Sequence, residues 1–256
     1  MVQSSVVCVV AGQPSNMTAE WTRMRQHQLM VQDMYDGYAD EYDEELCGLG
    51  YRTPALLEAA LLSRPGRLAA DVEAGVLSRT DALDIGCGTG LMGTLLRARC
   101  KGRLLGCDLS ARMLEVGAAT RPGTYDATQE ADVVSYLRAR PAGQADLVVA
   151  CEVYPYLRSL VDVVRAAEAA LCLGGLLAFS VEAARPEECA SHGWVERVET
   201  GRIAHSAEYV RSLATSELEL SSLASVELRH DGDQLVSGFA VLMTKVEGHA
   251  ITDAHG

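Results

Sequence analysis

The stretch "DALDIGCGTGLMG", residues 81–93, contains the features that decide the fold class. It begins with a short apolar run typical of a β-strand and continues with four glycines in eight positions, from Gly86 to Gly93. Glycine lets a backbone approach a ligand closely and adopts dihedral angles that are closed to other residues. The spacing also satisfies the GxGxxG formula of dinucleotide-binding loops, which alone is a weak signal. The stretch predicts a strand that ends in a ligand-binding turn.

Strand and helix alternate along the chain beyond this turn. Further strands are predicted over residues 103–108, 145–152 and 174–182, with a weaker one near residues 128–132. Helices are predicted between most of them, over residues 91–100, 110–120 and 157–171. Such alternation is typical of α/β proteins with a parallel sheet. We therefore predict a Rossmann-like, open, mostly parallel twisted sheet with helices on both faces.

The alternation ends after Glu182. A polar segment and a helix near residues 206–215 follow. Two strands, residues 225–231 and 238–246, flank a short turn and predict an antiparallel C-terminal pair.

Four segments describe the predicted domain organisation. They are a disordered leader at residues 1–18, an N-terminal helical lid at 19–65, an α/β core at 66–246 and a loose tail at 247–256. The lid has one helix from Ala19 to about Asp43 and a second after Thr53. Apolar residues recur along the first helix with the period of one helix face: Trp21, Met24, Leu29, Met30, Met34 and Tyr38.

The composition disfavours several classes of binding partner. The formal net charge of −13 and the absence of a basic run make a nucleic-acid partner unlikely, because such a partner needs its phosphates neutralised. The eight cysteines form no CxxC and no cluster with histidine, so we predict reduced thiols, no metal site and a cytoplasmic location. No apolar run approaches the length of a membrane span, and no membrane association is expected.

Two acids distinguish between candidate ligands. Asp84 lies inside a strand that is buried on both faces, where an unpaired carboxylate is costly, so its partner is expected to be cationic. S-adenosyl-L-methionine carries an ammonium and a sulfonium, whereas a pyrophosphate would be repelled. Asp108 ends the next strand, eighteen residues after Gly90, where a carboxylate binds ribose hydroxyls in both ligand classes.

These residues carry a family resemblance. The motif "LDIGCGTG" resembles motif I of the class I S-adenosylmethionine-dependent methyltransferases, and "CDLS" resembles the acidic motif after their second strand. The resemblance covers about residues 35–245. The segments "YDGYADEYDEEL", "GYRTPALL", "FSVE" and "GRIAHSAEYV" resemble a subgroup of predicted methyltransferases whose substrates are mostly unassigned. The usual Lys-Pro-Gly-Gly turn before the fifth strand is here "LCLGG".

The resemblance implies a set of cofactor-binding residues: Asp84, Gly86, Cys87, Gly88, Gly90, Asp108, Leu109, Asp132, Val133, Glu152, Tyr42 and Arg52. Asp84 and the glycine loop would hold the methionine end, and Asp108 the ribose. Asp132 would face the adenine amino group, with the Val133 amide at the ring nitrogen. Glu152 would lie near the methionine and the substrate. Tyr38 and Tyr42 match aromatic lid positions, with core packing as the alternative, and Arg52 would pair with the methionine carboxylate.

Methyl transfer is an in-line displacement in which the protein mainly positions the reactants. Where a general base is needed, it is expected near the ends of the fourth and fifth strands and the polar segment. The available groups there are Glu152, Tyr154, Glu182, His192 and His205. We predict His205 and Glu152 as the catalytic residues.

The sequence favours O- or N-methylation of a small molecule. An enzyme that methylates nucleic-acid amino groups would show an Asn/Asp-Pro-Pro-aromatic run after the fourth strand, where this chain has "CEVYPY". A protein acceptor stays open. Two alternatives stay open as well: a catalytically silent methyltransferase-like binding or assembly protein, and an NAD(P)-dependent oxidoreductase supported by GxGxxG and Asp108.

Overall fold

The computed structural model describes residues 16–63, 81–232 and 234–248, with side chains from Arg25 onward. Residues 1–15 of the predicted leader, residues 66–80 of the predicted core and residues 249–256 of the predicted tail lie outside this part. So do Cys8 and the side chains of Trp21 and Met24. The last three residues of the predicted leader are helical, since the first helix begins at Asn16.

The described helices surround one mixed sheet. The helices are α1 (Asn16–Tyr38), α2 (Tyr42–Gly48), α3 (Thr53–Leu62), α4 (Leu91–Arg99), α5 (Ala111–Thr120), α6 (Val133–Arg138), α7 (Val161–Ala170) and α8 (Ala207–Ser212). The strands are β1 (Ala82–Ile85), β2 (Leu104–Asp108), β3 (Ala127–Glu130), β4 (Ala145–Ala150), β5 (Leu171–Ala184), β6 (Trp194–Glu196), β7 (Ile203–Ser206), β8 (Leu218–Asp231) and β9 (Gln234–Lys245).

The sheet has the strand order β3-β2-β1-β4-β5-β7-β6, and β9 pairs antiparallel with β5 and with β8. The pairs from β3 to β7 along this order are parallel. The predicted Rossmann-like, mostly parallel sheet with an antiparallel C-terminal pair is therefore confirmed.

The core lies on both faces of the sheet. All four residues of β1 are buried, and Asp84 lies in register with Gly106 of β2 and Val149 of β4. Successive residues of β4 point to opposite faces, so Val148 belongs to one apolar cluster and Val149 to the other. A strand covered on both faces places its ligand site outside its carboxyl end.

Several element bounds differ from the sequence prediction. The strand predicted at 174–182 begins at Leu171, directly after α7, and both C-terminal strands are longer than predicted. Strands β6 and β7 lie in the predicted polar segment, where three and four residues are too short to show a period. Helix α6 was also missed, because its six residues are specified mainly by the Asp132 cap.

The N-terminal helix ends before the predicted Asp43, and part of its apolar face is exposed to solvent. It ends at Tyr38, and α2 follows after a short turn. The apolar residues whose spacing indicated the helix are largely exposed at Leu29, Met30 and Met34, by 50%, 70% and 44%. Among the described residues, no helix has the length and apolar character needed to cross a membrane.

Candidate active site

The glycine loop after β1 forms a close-fitting cradle. Gly86, Gly88 and Gly90 have φ angles of 68°, 52° and 93°, in the left-handed region that favours glycine. The loop is held by the Cys87 N–H, which donates to the Cys107 carbonyl at 2.9 Å. A Cβ at Gly86 would lie 2.3 Å from a Val153 methyl group. Val153 therefore packs directly against Gly86 and leaves no room for a side chain at this position.

Asp84 is a fully buried carboxylate with one unsatisfied oxygen. Its Oδ2 accepts a hydrogen bond from the Tyr125 hydroxyl at 2.6 Å. Its Oδ1 has no hydrogen-bond partner within the part of the chain that the structure describes. Burial raises the pKa of Asp84 to about 7, with a further contribution from Asp108, while the Tyr125 hydrogen bond opposes this rise. The carboxyl group lacks the cation that would stabilise its charge.

Asp108 is held by backbone amides at the end of β2. The Gly88 N–H donates to its Oδ2 at 2.8 Å, and the Ser110 N–H donates to its Oδ1 at 2.9 Å. Burial raises the pKa of Asp108 against these hydrogen bonds. Each carboxylate oxygen can accept a second hydrogen bond, so the group is oriented and still available to a diol.

Asp132 and Val133 lie at the start of α6. Asp132 is the N-cap, and its Oδ1 accepts from the Ser135 N–H at 2.9 Å. Its Oδ2 accepts from Gln28 Nε2 of α1, also at 2.9 Å. Val133 is buried and contributes to the wall of the cleft. The predicted adenine site therefore lies under the N-terminal helix.

One cleft brings most of the predicted residues together. It is lined by His27, Gln28, Val31, Tyr35, Tyr42, Gly86, Gly88, Asp108, Leu109, Met113, Asp132, Val133, Cys151, Glu152, Val153, Tyr156 and Leu157. A neighbouring cavity of about 300 Å³ shares Tyr42, Gly86, Gly88 and Cys151 with it and adds Asp84 and Cys87.

Polar side chains of α1 close the cleft. Gln28, Gln32 and Asp36 follow at four-residue intervals and therefore lie on one face of α1, and Asp40 follows in the turn after the helix. They bind, in order, Asp132, Glu130, Ser110 and Arg112 at 2.9, 3.3, 2.5 and 2.6 Å. The lid is thus attached to the ends of β2 and β3 through hydrogen bonds and an ion pair rather than through its apolar residues.

Tyrosines form the inner wall beneath the lid. The hydroxyl groups of Tyr35 and Tyr156 are 2.6 Å apart, and the Tyr35 ring contacts the rings of Tyr38 and Tyr42 at centroid distances of 5.4 and 5.9 Å. Tyr35 and Tyr156 were missed in the sequence, although Tyr35 is one helical turn from Tyr38. Burial raises the pKa of Tyr35 and Tyr42 well above the usual range, so both hydroxyls stay protonated at neutral pH.

Glu152 is locked into a buried ion network. It has a φ of 61°, and its N–H donates to Ser180 Oγ at 2.9 Å. Arg229 and Arg202 approach Glu152 Oε2 at 2.5 and 2.9 Å, and they also pair with Glu182 at 2.5 and 2.7 Å. The two carboxylates, Glu152 and Glu182, are thus matched by two guanidinium groups. The arrangement therefore disfavours Glu152 as a free base, although it lines the cleft.

The predicted base His205 lies away from the cleft. Its side chain is fully buried in β7, where Nε2 is 3.1 Å from the Arg158 carbonyl oxygen and the ring stacks on Tyr209. Burial lowers the pKa of His205 to about 4. It does not belong to the lining of either cavity. The sequence indicated a histidine near the site, but the short strand β7 buries it in the sheet.

The other candidates are also separated from the site. Arg52 is exposed before α3 and, like Gly90, lines neither cavity. Tyr154 packs against Phe179 in the core, and the His192 ring lies against Trp194. Instead, His27 of α1 lines the cleft, and burial lowers its pKa, as does nearby Arg158, so its imidazole is neutral at neutral pH. Sequence reasoning missed it because it considered only the end of the sheet near the fourth and fifth strands.

Residues 83–177 match the family described as a methyltransferase domain. The match runs from β1 into β5, so it includes the glycine loop, Asp108, Asp132 and Glu152. This match identifies residues 83–177 as a methyltransferase domain, and their fold is that of the class I S-adenosylmethionine-dependent methyltransferases. The comparisons support S-adenosylmethionine as the cofactor of this domain and methyl transfer as its activity.

Solved structures share the fold of this methyltransferase domain. The methyltransferase in complex with the Haloferax volcanii Trm112 methyltransferase activator is 17% identical, with a TM-score of 0.64 over 86% of this chain and 99% of that one. The 1,6-didemethyltoxoflavin-N1-methyltransferase of Burkholderia thailandensis, solved with 1,6-didemethyltoxoflavin and S-adenosylhomocysteine, is 13% identical, with a TM-score of 0.58 over 94% of each chain.

The magnesium protoporphyrin IX methyltransferase of Synechocystis PCC 6803, solved with S-adenosylmethionine, is 13% identical, with a TM-score of 0.56 over 86% of this chain and 97% of that one. At such identities the likeness shows the fold of the methyltransferase domain and does not identify its acceptor. A search of the curated proteins found no match to the chain.

Proposed function

We propose that this methyltransferase domain transfers a methyl group to a small-molecule acceptor bound between the glycine loop and the tyrosines beneath α1. One observation carries the proposal: Asp84 is fully buried, and its Oδ1 has no partner among the described residues. A buried carboxylate without a cation is costly unless a ligand supplies the charge. The ammonium group of S-adenosylmethionine supplies it, whereas a pyrophosphate would add repulsion.

The residues around Asp84 fit the rest of the cofactor. The glycine loop would hold the methionine chain through its backbone, because Gly86 and Gly88 line both cavities and have no side chain. Asp108 offers an oriented carboxylate to the ribose hydroxyls. Asp132 and the Val133 amide at the start of α6 would receive the adenine. Arg52 is not part of this proposal, because its exposed position leaves it outside both cavities.

The charge of the cleft restricts the acceptor. The acidic residues that line it are Asp108, Asp132 and Glu152, of which Glu152 is paired with Arg202 and Arg229, and no lysine or arginine lines it in the described part of the chain. Phosphorylated and carboxylated acceptors would therefore be repelled, and a neutral or cationic acceptor is favoured. The aromatic wall of Tyr35, Tyr42 and Tyr156 favours a flat ring or an ammonium group through stacking or cation–π contact.

Positioning is the main contribution of these residues to the chemistry. The bound cofactor supplies an activated methyl group on a sulfonium. The lid helix excludes water, and the protonated hydroxyls of Tyr35 and Tyr42 orient the acceptor by donating hydrogen bonds. If the acceptor must lose a proton, His27 can accept it, because its neutral imidazole lines the cleft.

Calorimetric titration with S-adenosylmethionine, S-adenosylhomocysteine and NADH tests the cofactor. Wild type is expected to bind the first two ligands, and the Asp84→Asn variant is expected to lose them. Asp162→Asn is the matched control, since Asp162 forms an exposed ion pair with Arg138 on the surface. Preference for NADH, or silence toward all three ligands, would contradict the proposal.

A panel of neutral and cationic acceptors tests the reaction through formation of S-adenosylhomocysteine. Anionic analogues of the same acceptors are the control, and they are expected to react poorly. Cofactor binding without turnover on any acceptor would favour the silent binding protein instead.

A further inference from the structure

Tyr125 makes the one hydrogen bond that Asp84 receives from a side chain in the described part of the chain. It precedes β3, and its hydroxyl donates to Asp84 Oδ2 at 2.6 Å, while Asp84 Oδ1 stays without a partner there. We infer that Tyr125 is a positioning residue for the cofactor: it holds one oxygen of Asp84 and thereby presents the other to the ammonium group. This inference rests on the proposed function.

The surrounding glycines make room for the Tyr125 side chain. A Cβ at Gly93 in α4 would lie 2.1 Å from the Tyr125 hydroxyl oxygen. A Cβ at Gly106 in β2 would lie 3.3 Å from its ring carbons. Neither glycine has a positive φ, so the backbone does not require glycine at these positions. Glycine weakens both helices and strands, and such a position often marks a close approach by another group. At Gly93 that group is Tyr125, and at Gly106 it is the Cys87 Sγ, 2.8 Å from the Cβ, together with the Tyr125 ring.

The backbone on both sides of Tyr125 is also anchored. The Thr124 N–H donates to the Arg121 carbonyl at 3.3 Å, and the Asp126 N–H donates to the Leu104 carbonyl at 2.8 Å. Arg121 in turn pairs with Asp43 of α2 at 2.7 Å. The backbone at Tyr125 is therefore fixed on both sides, which limits the positions that its hydroxyl group can reach.

A neutral donor suits this role better than a cation. An arginine at this position would orient Asp84 but would also cancel the charge on which the cofactor depends. Burial and the nearby Asp108 both disfavour the ionised form of Asp84, whereas the Tyr125 hydrogen bond favours it and so lowers the pKa of the carboxyl group. Tyr125 thus holds the carboxylate in place and leaves its charge for the ligand.

The test compares two variants that each lose one tyrosine hydroxyl. Tyr125→Phe removes the bond to Asp84, and Tyr209→Phe removes a bond of similar length, in which the Tyr209 hydroxyl oxygen accepts from the Leu160 N–H at 2.7 Å. Two quantities are measured for each protein: the titration midpoint of the Asp84 carboxyl carbon by ¹³C NMR without ligand, and the calorimetric dissociation constant of S-adenosylhomocysteine at pH 7. The first readout does not depend on the cofactor.

Tyr125→Phe is expected to move the Asp84 midpoint to higher pH and to weaken S-adenosylhomocysteine binding roughly tenfold. Tyr209→Phe is expected to change neither quantity. Gly93→Ala, which displaces the tyrosine while keeping its hydroxyl, is expected to reproduce both effects of Tyr125→Phe. An unchanged midpoint or an unchanged dissociation constant in Tyr125→Phe, with binding by wild type intact, would overturn the inference alone. Failure of wild type to bind S-adenosylhomocysteine would overturn the proposed function and, with it, the inference.

Discussion

The carboxyl edge of the sheet has two halves that treat buried carboxylates in opposite ways. In the half formed by β1 and β2, which we call the open half, Asp84 has a neutral donor, an unsatisfied oxygen and a raised pKa. In the half formed by β4, β5 and β7, which we call the sealed half, Glu152 and Glu182 are matched by two arginines. Glu152 and Glu182 already have arginine partners within the protein. Asp84 has none among the described residues, and it is therefore the acid that can bind a cationic group of a ligand.

The largest expected effect comes from breaking the sealed half. Arg229→Met leaves Glu152 and Glu182 with Arg202 as their partner, so one buried charge is uncompensated. We expect the free energy of unfolding to fall by about 3–5 kcal/mol, as measured by denaturant titration. Arg138→Met, which removes an exposed ion pair with Asp162, is the control and should change little. If the free energy of unfolding of Arg229→Met fell by much less, the buried ion pairs of Arg229 would not be needed to compensate Glu152 and Glu182.

Asp84→Asn tests the open half. The amide is similar in size and can still accept from Tyr125, but it carries no charge for the ammonium group. We expect S-adenosylhomocysteine binding to weaken by about 100-fold, the loss of a charge-assisted contact in a buried site. Calorimetry measures the dissociation constant.

The same variant should gain stability relative to wild type as pH rises. The folded-state pKa of Asp84 is raised to about 7, above the ordinary value of 3.8, so the folded protein holds a proton that the unfolded chain releases. Wild type therefore loses stability from this group between these two pH values, and the variant does not. Equal pH dependence of unfolding in the two proteins would mean that Asp84 is not buried as a free acid.

Substitution of one histidine in each half tests which of them acts as the general base. His27 lines the cleft of the open half, and His205 is enclosed in the sealed half. For an acceptor that must lose a proton, His27→Asn is expected to lower turnover about 100-fold while the dissociation constant of S-adenosylhomocysteine stays unchanged. His205→Gln is expected to leave turnover nearly unchanged and to reduce stability by about 1 kcal/mol. The reverse pattern would restore His205 as the base.

The smallest effect is the pH dependence of cofactor binding by wild type. Because the pKa of Asp84 is about 7, its ionised fraction rises with pH through neutrality, and the affinity for a cationic ligand rises with it. We expect S-adenosylhomocysteine to bind roughly tenfold more tightly at about pH 7.5 than at about pH 6. Asp84→Asn should show a flat profile, and a flat profile in wild type would exclude Asp84 as the titrating group.

Much of the open half could be predicted from the sequence. The strand, the glycine turn and Asp108 are local features: the apolar run, the glycine spacing and the acid at the strand end lie within a few residues of one another. Helix α6 and strand β7 were missed because a short element has too few residues to show a period. Missing β7 also misplaced His205, since a residue in a buried strand was read as part of a loop.

The orientation of the lid could not be predicted from periodicity. Leu29, Met30 and Met34 indicated a buried apolar face, but Gln28 and Asp36 turn toward the core because they have polar partners at the strand ends. The pattern identifies a helix and its faces, while the chemistry of the surface it meets determines which face packs.

The sequence by itself determined that this chain forms a parallel α/β sheet with a glycine turn and acids at the ends of its strands, because those signals act over short distances along the chain. Only the tertiary structure decided which acids are free. Arg229 neutralises Glu152 from 77 residues further along, and Tyr125 holds Asp84 from 41 residues away. Charge compensation and burial depend on neighbours in space, and folding brings those neighbours together.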